Sequence, residues 1–276
     1  MIELPEAANL ARQLTETING KRIKEVIAGY SPHKFAWYHG DPADYNAQLQ
    51  GKTIGTAVSY GGLVEMAAEG FVILFGDGVN LRFHDKNEKR PSKHQLFMEF
   101  EDMSAISASV QMYGGMWCFA EGEFDNPYYD VAREKPAPLS DDFDPDYFNS
   151  IVDDPGFQNL SAKAFLATEQ RIPGLGNGVL QDVLYNAGIH PKRKVETLND
   201  NEREALFKSV KNTLCEMTEK GGRDTEKNLF GEPGGYRTKL SKNTVGTACH
   251  VCGKTIVKQA YMGGSIYFCA GCQKFP

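Results

Sequence analysis

The spacing of apolar side chains at the start of the chain is that of a helix. Between residues 5 and 18 the apolar positions recur every three or four residues, at Ala7, Leu10, Ala11, Leu14 and Ile18. This spacing predicts a helix with one apolar face. Pro5 suits the first helical position and Gly20 suits the end.

From about residue 22 to 119 the pattern becomes that of short strands. Segments such as TIGTAVSY, FVILFGD and AISASVQM are rich in β-branched and aromatic residues and are separated by glycines. Together they predict a mostly antiparallel sheet system, either a sandwich or a barrel.

Helical spacing returns in the second half of the chain. Ser161 is predicted to cap the segment SAKAFLATEQ, and Asn177 is predicted to cap GVLQDVLYNA. Asn199 and Glu202 predict a capping box for a long helix that ends near Lys220. Between the first two helices, RIPGLGN (171–177) interrupts helicity with one proline and two glycines.

The net charge of −6 hides a strong asymmetry between the two parts of the chain. Residues 1–185 hold 15 Lys/Arg against 27 Asp/Glu, whereas residues 186–276 hold 15 against 9. Phosphate contacts are local, so a basic C-terminal part permits a polyanionic partner despite the overall charge. The most acidic stretch, 121–154, contains several prolines and is interpreted as a linker.

The last 28 residues carry the strongest chemical signal. Cys249-x2-Cys252 is followed after 16 residues by Cys269-x2-Cys272. Two such pairs supply four thiolates to one structural Zn²⁺, and the segment between them is predicted to form a strand, a Gly-Gly turn and a second strand. Such a hairpin contacts nucleic acid or protein, or is only a structural clip.

The RIPGLGN turn is a second candidate for chemistry. A glycine-rich turn that opens a helix presents backbone N–H groups and the positive end of the helix dipole, which suits a phosphate, and Asn177 adds a side-chain amide. A plain turn between two helices is the alternative.

Three motifs in the same order resemble the formamidopyrimidine-DNA glycosylase / endonuclease VIII family of base-excision repair enzymes. MIELPEA is similar to the family's M-P-E-L-P-E start, and RIPGLGN…VLYNAGIHPKRKVETL looks like its helix–two-turn–helix signature. CHVCGK…YFCAGCQK looks like its C-terminal zinc finger. The resemblance implies an α+β fold, with an N-terminal helix and antiparallel β-sandwich followed by a helix–two-turn–helix domain and a zinc ribbon.

The resemblance also implies roles for individual residues. Glu3 matches the catalytic carboxylate and Glu6 the second acid of the N-terminal motif. Asn177 matches a phosphate-binding asparagine, and Lys163 a DNA-contacting lysine. The four cysteines match the zinc ligands, and Lys258 and Lys274 are further candidates for DNA contact.

The sequence departs from the family at the expected chemistry. Ile2 stands where the family carries its proline nucleophile, so Met1 is expected to be retained and its primary amine is the remaining candidate for a Schiff base. Gly62 aligns with a lysine near the lesion, and the hairpin turn at Met262–Ser265 lacks the family's arginine. The segment QMYGGMWCF (111–119) aligns loosely with residues that wedge into the base stack.

These observations predict a damaged-DNA-binding protein of base-excision repair. We expect a DNA glycosylase that acts on an extruded base through Glu3, with weak abasic-site lyase activity from Met1 as a further option. The alternatives are a catalytically inactive damage-binding protein and an RNA- or protein-binding zinc module.

The same observations predict the domain boundaries, the partner and the cellular location. The expected domains are 1–120, an acidic linker at 121–145, 146–240 and 241–276. The expected partner is damaged duplex or single-stranded DNA. We expect a monomer without membrane association in the cytoplasm, associated with the nucleoid in a bacterium.

Overall fold

The first half of the chain forms a helix and a sheet. The computed structural model describes residues 1–275. Helix α1 spans Leu4–Ile18, in agreement with the prediction, and a short helix α2 spans Tyr45–Leu49. The strands are β1 (Ile23–Ala28), β2 (Ala36–Trp37), β3 (Ile54–Tyr60), β4 (Leu63–Ala68), β5 (Phe71–His84), β6 (Leu96–Phe100) and β7 (Ala105–Ala120).

These strands form one sheet that folds over itself. Its order is β1-β6-β7-β5-β4-β3 with antiparallel neighbours, and β2 adds in parallel to β7. The long strands β5 and β7 pair with each other along most of their length and connect the two halves of the sheet. The register of this pair is irregular between Asp77 and Val79. Apolar residues from both ends share one core with α1. The predicted antiparallel sandwich is therefore confirmed.

The acidic stretch predicted as a linker contains a helix. Helix α3 spans Pro127–Glu134, and the side chain of Asn126 accepts hydrogen bonds from the N–H groups of Tyr128 and Tyr129. Tyr129 and Ala132 are buried against the outer face of the sheet. An Asn cap followed by proline at the first turn is a helix-start signal, and it outweighs the acidic composition.

The second half of the chain is helical up to its last segment. It contains α4 (Pro145–Val152), α5 (Ala162–Ala167), α6 (Val179–Asn186) and α7 (Asp200–Glu219). The predicted cap at Ser161 and the capping box of Asn199 and Glu202 are both present. None of the helices in residues 1–275 combines the length and apolar composition that a membrane crossing needs.

The C-terminal segment is a two-stranded hairpin of β8 (Ile256–Tyr261) and β9 (Gly264–Cys269). Its turn residues are Met262 and Gly263, both with positive φ, as a tight hairpin turn of this twist requires. The predicted Gly263–Gly264 turn is therefore shifted by one residue.

The proposed division into domains stays a prediction.

Helix α1 joins the two halves of the molecule. It packs against β3 and β4 on one side and α7 on the other. Leu4 belongs to the core of the helical half, whereas Ala7, Leu10 and Leu14 belong to the core of the sheet. The start of α1 consequently lies at the boundary between the two halves.

Candidate active site

The backbone around Glu3 is held from both halves of the molecule. The N–H of Ile2 donates to the carbonyl of Asp77 in β5 at 2.6 Å, and the N–H of Leu4 donates to the carbonyl of Gly174 at 2.9 Å. Glu3 therefore sits on a backbone fixed by the sheet on one side and by the RIPGLGN turn on the other.

The carboxylate of Glu3 caps helix α6. Its Oε1 accepts the N–H of Gly178 at 2.8 Å and its Oε2 accepts the N–H of Val179 at 2.7 Å. The prediction that Asn177 caps this helix is wrong, because the cap residue is Gly178 and no side chain of the turn accepts these N–H groups. A carboxylate at a helix N-terminus also interacts favourably with the helix dipole.

The N–H groups predicted to be free for a phosphate are therefore partly occupied. Glu3 takes those of Gly178 and Val179. The N–H groups of Gly176 and Asn177 make no hydrogen bond to any residue within 1–275, and both residues line the same cleft as Glu3. The N–H groups available to an anion are therefore those of Gly176 and Asn177, two to three residues before α6 begins at Val179.

Arg223, which the sequence analysis missed, neutralises Glu3 and Glu6. Its Nε and Nη2 donate to Glu6 at 3.0 and 2.7 Å, and its Nη1 lies 3.5 Å from Glu3 Oε2. All three residues are buried. Burial raises the pKa of Glu3, while Arg223 and the two N–H donors act in the opposite direction. A raised pKa makes the ionised carboxylate a stronger base for proton transfer.

Two glycines of the turn are required by this close approach. A Cβ on Gly176 would lie 2.7 Å from the carboxyl carbon of Glu3, and a Cβ on Gly178 would lie 1.6 Å from Arg223 Nη1. Gly178 has an ordinary φ of −79°. It is therefore the space taken by Glu3 and Arg223, and not backbone strain, that demands glycine there.

The amine of Met1 is engaged in an ion pair. It lies 2.5 Å from Glu226 Oε2, and both side chains are partly exposed. Met1 and Glu3 line the same cleft, which has a volume of about 290 Å³. A Schiff base at Met1 requires this amine to leave Glu226 and lose its proton.

The cleft lies between the sheet and the helical half. Gly62, Leu63, Asp77 and Tyr113 line it on the sheet side, and residues 170–177 contribute most of the other side. A Cβ on Gly62 would lie 3.2 Å from the carbonyl oxygen of Ile2. The β3–β4 turn position that aligns with the family's lysine thus packs against the N-terminal backbone and brings no charge.

The segment 111–119 divides between the core and the cleft. It belongs to β7, where Met116 is fully buried and Met112 is exposed. Tyr113 lines the cleft, and Trp117 lines a neighbouring cavity. Met116 and Trp117 enter different spaces because successive side chains of a strand point to opposite faces.

The candidate DNA-binding lysines lie in different environments. Lys163 is buried, its Nζ donates to the carbonyl of Tyr261 at 2.6 Å, and burial lowers its pKa. Lys258 and Lys274 are exposed and do not line the cleft. Asn177 and Glu3 therefore line the same cleft, whereas Lys258 and Lys274 lie outside it.

The hairpin of β8 and β9 is docked on the RIPGLGN turn. Asn177 Nδ2 and Gln181 Nε2 each donate to the carbonyl of Ser265 at 3.2 Å. Gln181 Oε1 accepts the N–H of Tyr267 at 2.9 Å. The orientation of Asn177 consequently depends on the hairpin being folded.

Four cysteine thiols meet at the base of this hairpin. The Sγ atoms of Cys249, Cys252, Cys269 and Cys272 all lie within 4.8 Å of one another. Cys249 and Cys272 are 3.7 Å apart, Cys252 and Cys269 are 3.3 Å apart, and Tyr185 Oη lies 3.1 Å from Cys249 Sγ. Such a cluster could hold a metal ion.

Comparison with known proteins points to one family. The helical half matches the formamidopyrimidine-DNA glycosylase H2TH domain over residues 135–228. A formamidopyrimidine-DNA glycosylase of Bacillus cereus is 27% identical over 99% of both chains. One from Shouchella clausii is 28% identical over the whole of both chains.

Solved structures with the same fold include DNA complexes. The Lactococcus lactis Fpg bound to DNA with an abasic site is 23% identical, with a TM-score of 0.83 over 99% of this chain and 100% of that one. MutM (Fpg) of Thermus thermophilus is 21% identical, with a TM-score of 0.81 over 98% of both chains. The matching domain and the relatives along the full length support membership of the formamidopyrimidine-DNA glycosylase / endonuclease VIII family, and the solved structures share the fold.

Proposed function

We propose that this protein is a DNA glycosylase of base-excision repair that binds damaged DNA in the cleft between its two halves. The proposal rests chiefly on the position of Glu3, a buried carboxylate that opens onto this cleft. The full-length relatives are formamidopyrimidine-DNA glycosylases, and the compared Lactococcus lactis protein was solved with abasic-site DNA. Hydrolysis of an N-glycosidic bond is the reaction that needs such a carboxylate beside an extruded nucleotide.

Glu3 supplies the proton transfer in this proposal. A water molecule attacks C1′ of the deoxyribose, the C1′–N bond breaks, and its electron pair leaves with the base. Glu3 takes the proton of the attacking water, and the departing base is protonated by solvent. The two N–H donors and Arg223 hold the carboxylate in one place during these steps.

The DNA backbone is placed by the RIPGLGN turn. The unbonded N–H groups of Gly176 and Asn177 belong to residues that line the cleft with Glu3, and they suit a phosphate oxygen. The excess of lysine and arginine in residues 186–276 supports this direction of approach. Lys163 retains two further N–H donors beyond its bond to Tyr261.

The metal held by the four cysteines is zinc in this proposal. In a tetrahedral site with Zn–S bonds of about 2.3 Å, the sulfurs lie about 3.8 Å apart, close to the observed Sγ separations of 3.7 and 3.3 Å. Four thiolates leave no open position, so the ion is structural. It fixes the hairpin that holds Asn177. The cytoplasmic location expected from these thiols stays a prediction.

A second candidate activity is cleavage at abasic sites by the Met1 amine. Met1 lines the same cleft as Glu3, and its amine is paired with Glu226, whose carboxylate can accept a proton from the amine. The amine would attack C1′ of the ring-opened sugar, and loss of water would give a Schiff base. Elimination of the 3′ phosphate would then cut the strand.

A role limited to binding is favoured by one observation. Both carboxylate oxygens of Glu3 are already used to cap α6, which is a sufficient structural reason for an acid at this position. In that case Glu3 organises the turn, and the protein recognises damage without cutting.

The deciding experiment is strand scission on oligonucleotides with an abasic site, an oxidised purine or an oxidised pyrimidine, in duplex and single-stranded form. Scission only after hot alkali supports the glycosylase, whereas scission without alkali and a borohydride-trapped adduct support the Met1 amine. We expect Glu3→Gln to lower the glycosylase rate about 10²- to 10⁴-fold. Tight binding without product on any substrate would leave only the binding role.

Asn177→Ala removes the side-chain amide and its bond to Ser265, and so tests the support of the phosphate site separately from the chemistry. We expect affinity to fall about equally for damaged and undamaged duplex, because contacts to phosphate carry no base information. Asn243→Ala, an uncharged exchange at an exposed site away from the cleft, is the matched control. A loss restricted to damaged DNA in Asn177→Ala would contradict the assignment.

A further inference from the structure

A cavity beside the start of β6 lies apart from the Glu3 cleft. It has a volume of about 640 Å³ and lies between the segment that joins β1 to β2, the loop that joins β5 to β6, and Ser109 and Val110 of β7. None of its lining residues lines the Glu3 cleft or the cavity beside Trp117. Cavities of roughly 300–1,000 Å³ are typical of ligand sites, so this one has room for a nucleotide.

Hydrogen bonds hold the walls of this cavity together. The N–H of Ser31 donates to the carbonyl of His94 at 3.0 Å, and the N–H of His94 donates to Ser31 Oγ at 3.1 Å. Gln95 Nε2 donates to the carbonyl of Ser31 at 3.0 Å, and Gln95 Oε1 accepts the N–H of Val110 at 2.8 Å. The three segments around the cavity are therefore fixed to one another.

Tyr30 is the outermost ring of a stacked column at this cavity. Its ring lies 4.7 Å from that of His94 with an angle of 6° between the planes, and the ring of His94 lies 5.3 Å from that of Phe97. His94 and Phe97 are buried, whereas Tyr30 is 61% exposed and lines the cavity. Most of a flat ring that is already held in place is thus free for contact. Such a ring is suited to stack with a nucleobase.

The walls beside Tyr30 carry groups that suit a phosphate. Lys93 lines the cavity, and its ammonium group makes no hydrogen bond or ion pair to residues 1–275. His33 and the hydroxyl groups of Ser92 and Ser109 line the cavity as well. An unpaired ammonium group next to hydroxyl donors is a favourable environment for an anion.

The surroundings of the cavity are basic, in contrast to the rest of this half of the chain. Segments 29–35 and 85–95 together contain five Lys/Arg and two Asp/Glu. Over residues 1–185 as a whole, acids outnumber bases by 27 to 15. Local positive charge on an otherwise acidic surface indicates a polyanionic ligand.

The cavity is connected to the Glu3 cleft along β7. Val110 of the cavity and Tyr113 of the cleft are three residues apart in this strand, which is about 10 Å at about 3.3 Å per residue. The exposed Phe35 lies beside this part of β7, because its carbonyl accepts the N–H of Gly114 at 3.0 Å. A distance of about 10 Å equals about three steps of 3.4 Å along a nucleic-acid strand, so one strand can reach both sites.

We infer that this cavity binds an unpaired nucleotide of single-stranded DNA, with its base stacked on Tyr30 and a phosphate beside Lys93. A base inside a duplex is covered by its neighbours on both faces, so only an unpaired base can stack on this ring. The choice of DNA rests on the proposed function, since the strand continues into the Glu3 cleft. The stacking itself needs neither a lesion nor Glu3, and it accepts any base because every base has a π-face.

The affinity for two single strands of equal charge tests the stacking. One strand is an oligothymidylate of about 10 nucleotides, and the other has the same backbone with tetrahydrofuran in place of every nucleoside. We expect Tyr30→Ala to weaken binding of the oligothymidylate about tenfold and to leave the base-free strand unchanged, because only the first strand has a base to stack. Tyr30→Phe keeps the ring and should keep the affinity. An equal loss on both strands, or no loss on either, would overturn the inference.

Phe230→Ala is the matched control for the loss of an exposed ring. Phe230 is 50% exposed and lines neither the cavity nor the Glu3 cleft, so both affinities should stay unchanged. Lys93→Gln should weaken both strands by a similar factor and reduce the slope of log affinity against log salt by about 0.7, since phosphate contacts carry no base information. An unchanged slope would overturn the role of Lys93.

Photocrosslinking locates the bound base directly. An oligothymidylate that carries 5-iododeoxyuridine is irradiated in the complex, and the crosslinked peptide is identified by mass spectrometry. We expect a crosslink at Tyr30, and crosslinks confined to rings of the Glu3 cleft such as Tyr113 would overturn the inference. Oligoglutamate that binds as tightly as oligothymidylate, with the same loss in Tyr30→Ala, would also overturn it and assign the surface to an acidic protein segment. A protein that crosslinks at Tyr30 but cuts no lesion would support the inference and reject the glycosylase.

Discussion

Replacing Arg223 should destabilise the protein strongly, because it leaves two buried carboxylates without their cation. Arg223, Glu3 and Glu6 have only 2%, 4% and 6% of their surface exposed. Their nearest polar atoms are one another and the backbone N–H groups of residues 178, 179 and 223. Breaking such a buried pair by removing one partner costs about 3–5 kcal/mol.

The same magnitude follows from the individual contacts. Arg223→Met removes the bonds of 3.0 and 2.7 Å to Glu6, each worth about 1.5–3 kcal/mol as a hydrogen bond to a charged group. Arg223→Lys keeps the charge but reaches only one of these positions, so we expect about half of that loss. Glu6→Gln combined with Arg223→Met should cost less than the sum, by about 0.5–3 kcal/mol.

The assay is urea unfolding of the metal-loaded protein, followed by far-UV circular dichroism. Arg12→Met is the matched control, because Arg12 and Glu16 form an ion pair with both side chains 58% exposed, and such a pair contributes about 0–1 kcal/mol. A change for Arg223→Met no larger than that of Arg12→Met would refute the argument that these buried charges depend on Arg223.

The same variant tests the electrostatics of Glu3. The positive charge of Arg223 lowers the pKa of Glu3, in opposition to burial. Removing it should raise that pKa further. If Glu3 must be ionised to accept a proton, the acidic limb of the pH–rate profile moves to higher pH in Arg223→Met. An unmoved limb would argue that Glu3 does not act as the base.

Three further predictions follow from the contacts. Gly178→Ala should lower stability by about 1–3 kcal/mol in urea unfolding, because its Cβ would lie 1.6 Å from a buried guanidinium nitrogen, whereas Gly156→Ala meets only a surface carboxylate at 3.1 Å and serves as control. Chelating the metal should unfold the hairpin, release Asn177 and weaken DNA binding; Zn²⁺ should restore binding and Mg²⁺ should not, since Mg²⁺ prefers oxygen ligands. Burial lowers the pKa of His84, His94 and His190 below the usual value of about 6.5. The unfolded chain therefore takes up these protons first as pH falls, and unfolding measured at stepped pH should show stability decreasing below about pH 6.5, with a smaller decrease when the three are replaced by glutamine.

Features with a local cause were predictable from the sequence. The apolar face of α1, the cap at Ser161 and the capping box of Asn199 and Glu202 each depend on residues within a few positions of one another. The cysteine cluster was predictable because ligand spacing within each pair is itself local. Helix α3 had a similar signal in Asn126 followed by Pro127, which the acidic composition obscured.

Features that join distant segments were not predictable in this way. The cap of α6 is Glu3, 175 residues earlier in the chain, and not the neighbouring Asn177. No periodicity in the sequence connects Arg223 to Glu6, 217 positions away. The need for glycine at position 178 is likewise visible only once the side chains of Glu3 and Arg223 occupy the space beside it.

By itself, the sequence determined the succession of helix, sheet, helices and metal-binding hairpin, and the residues that carry the family's motifs. Periodicity, caps and ligand spacing act over a few residues, so they can be read along the chain. The tertiary structure decided what surrounds Glu3 and which residue neutralises it. Those outcomes depend on how buried charge and unpaired N–H groups find partners across the boundary between the two halves, and only the folded chain brings those partners together.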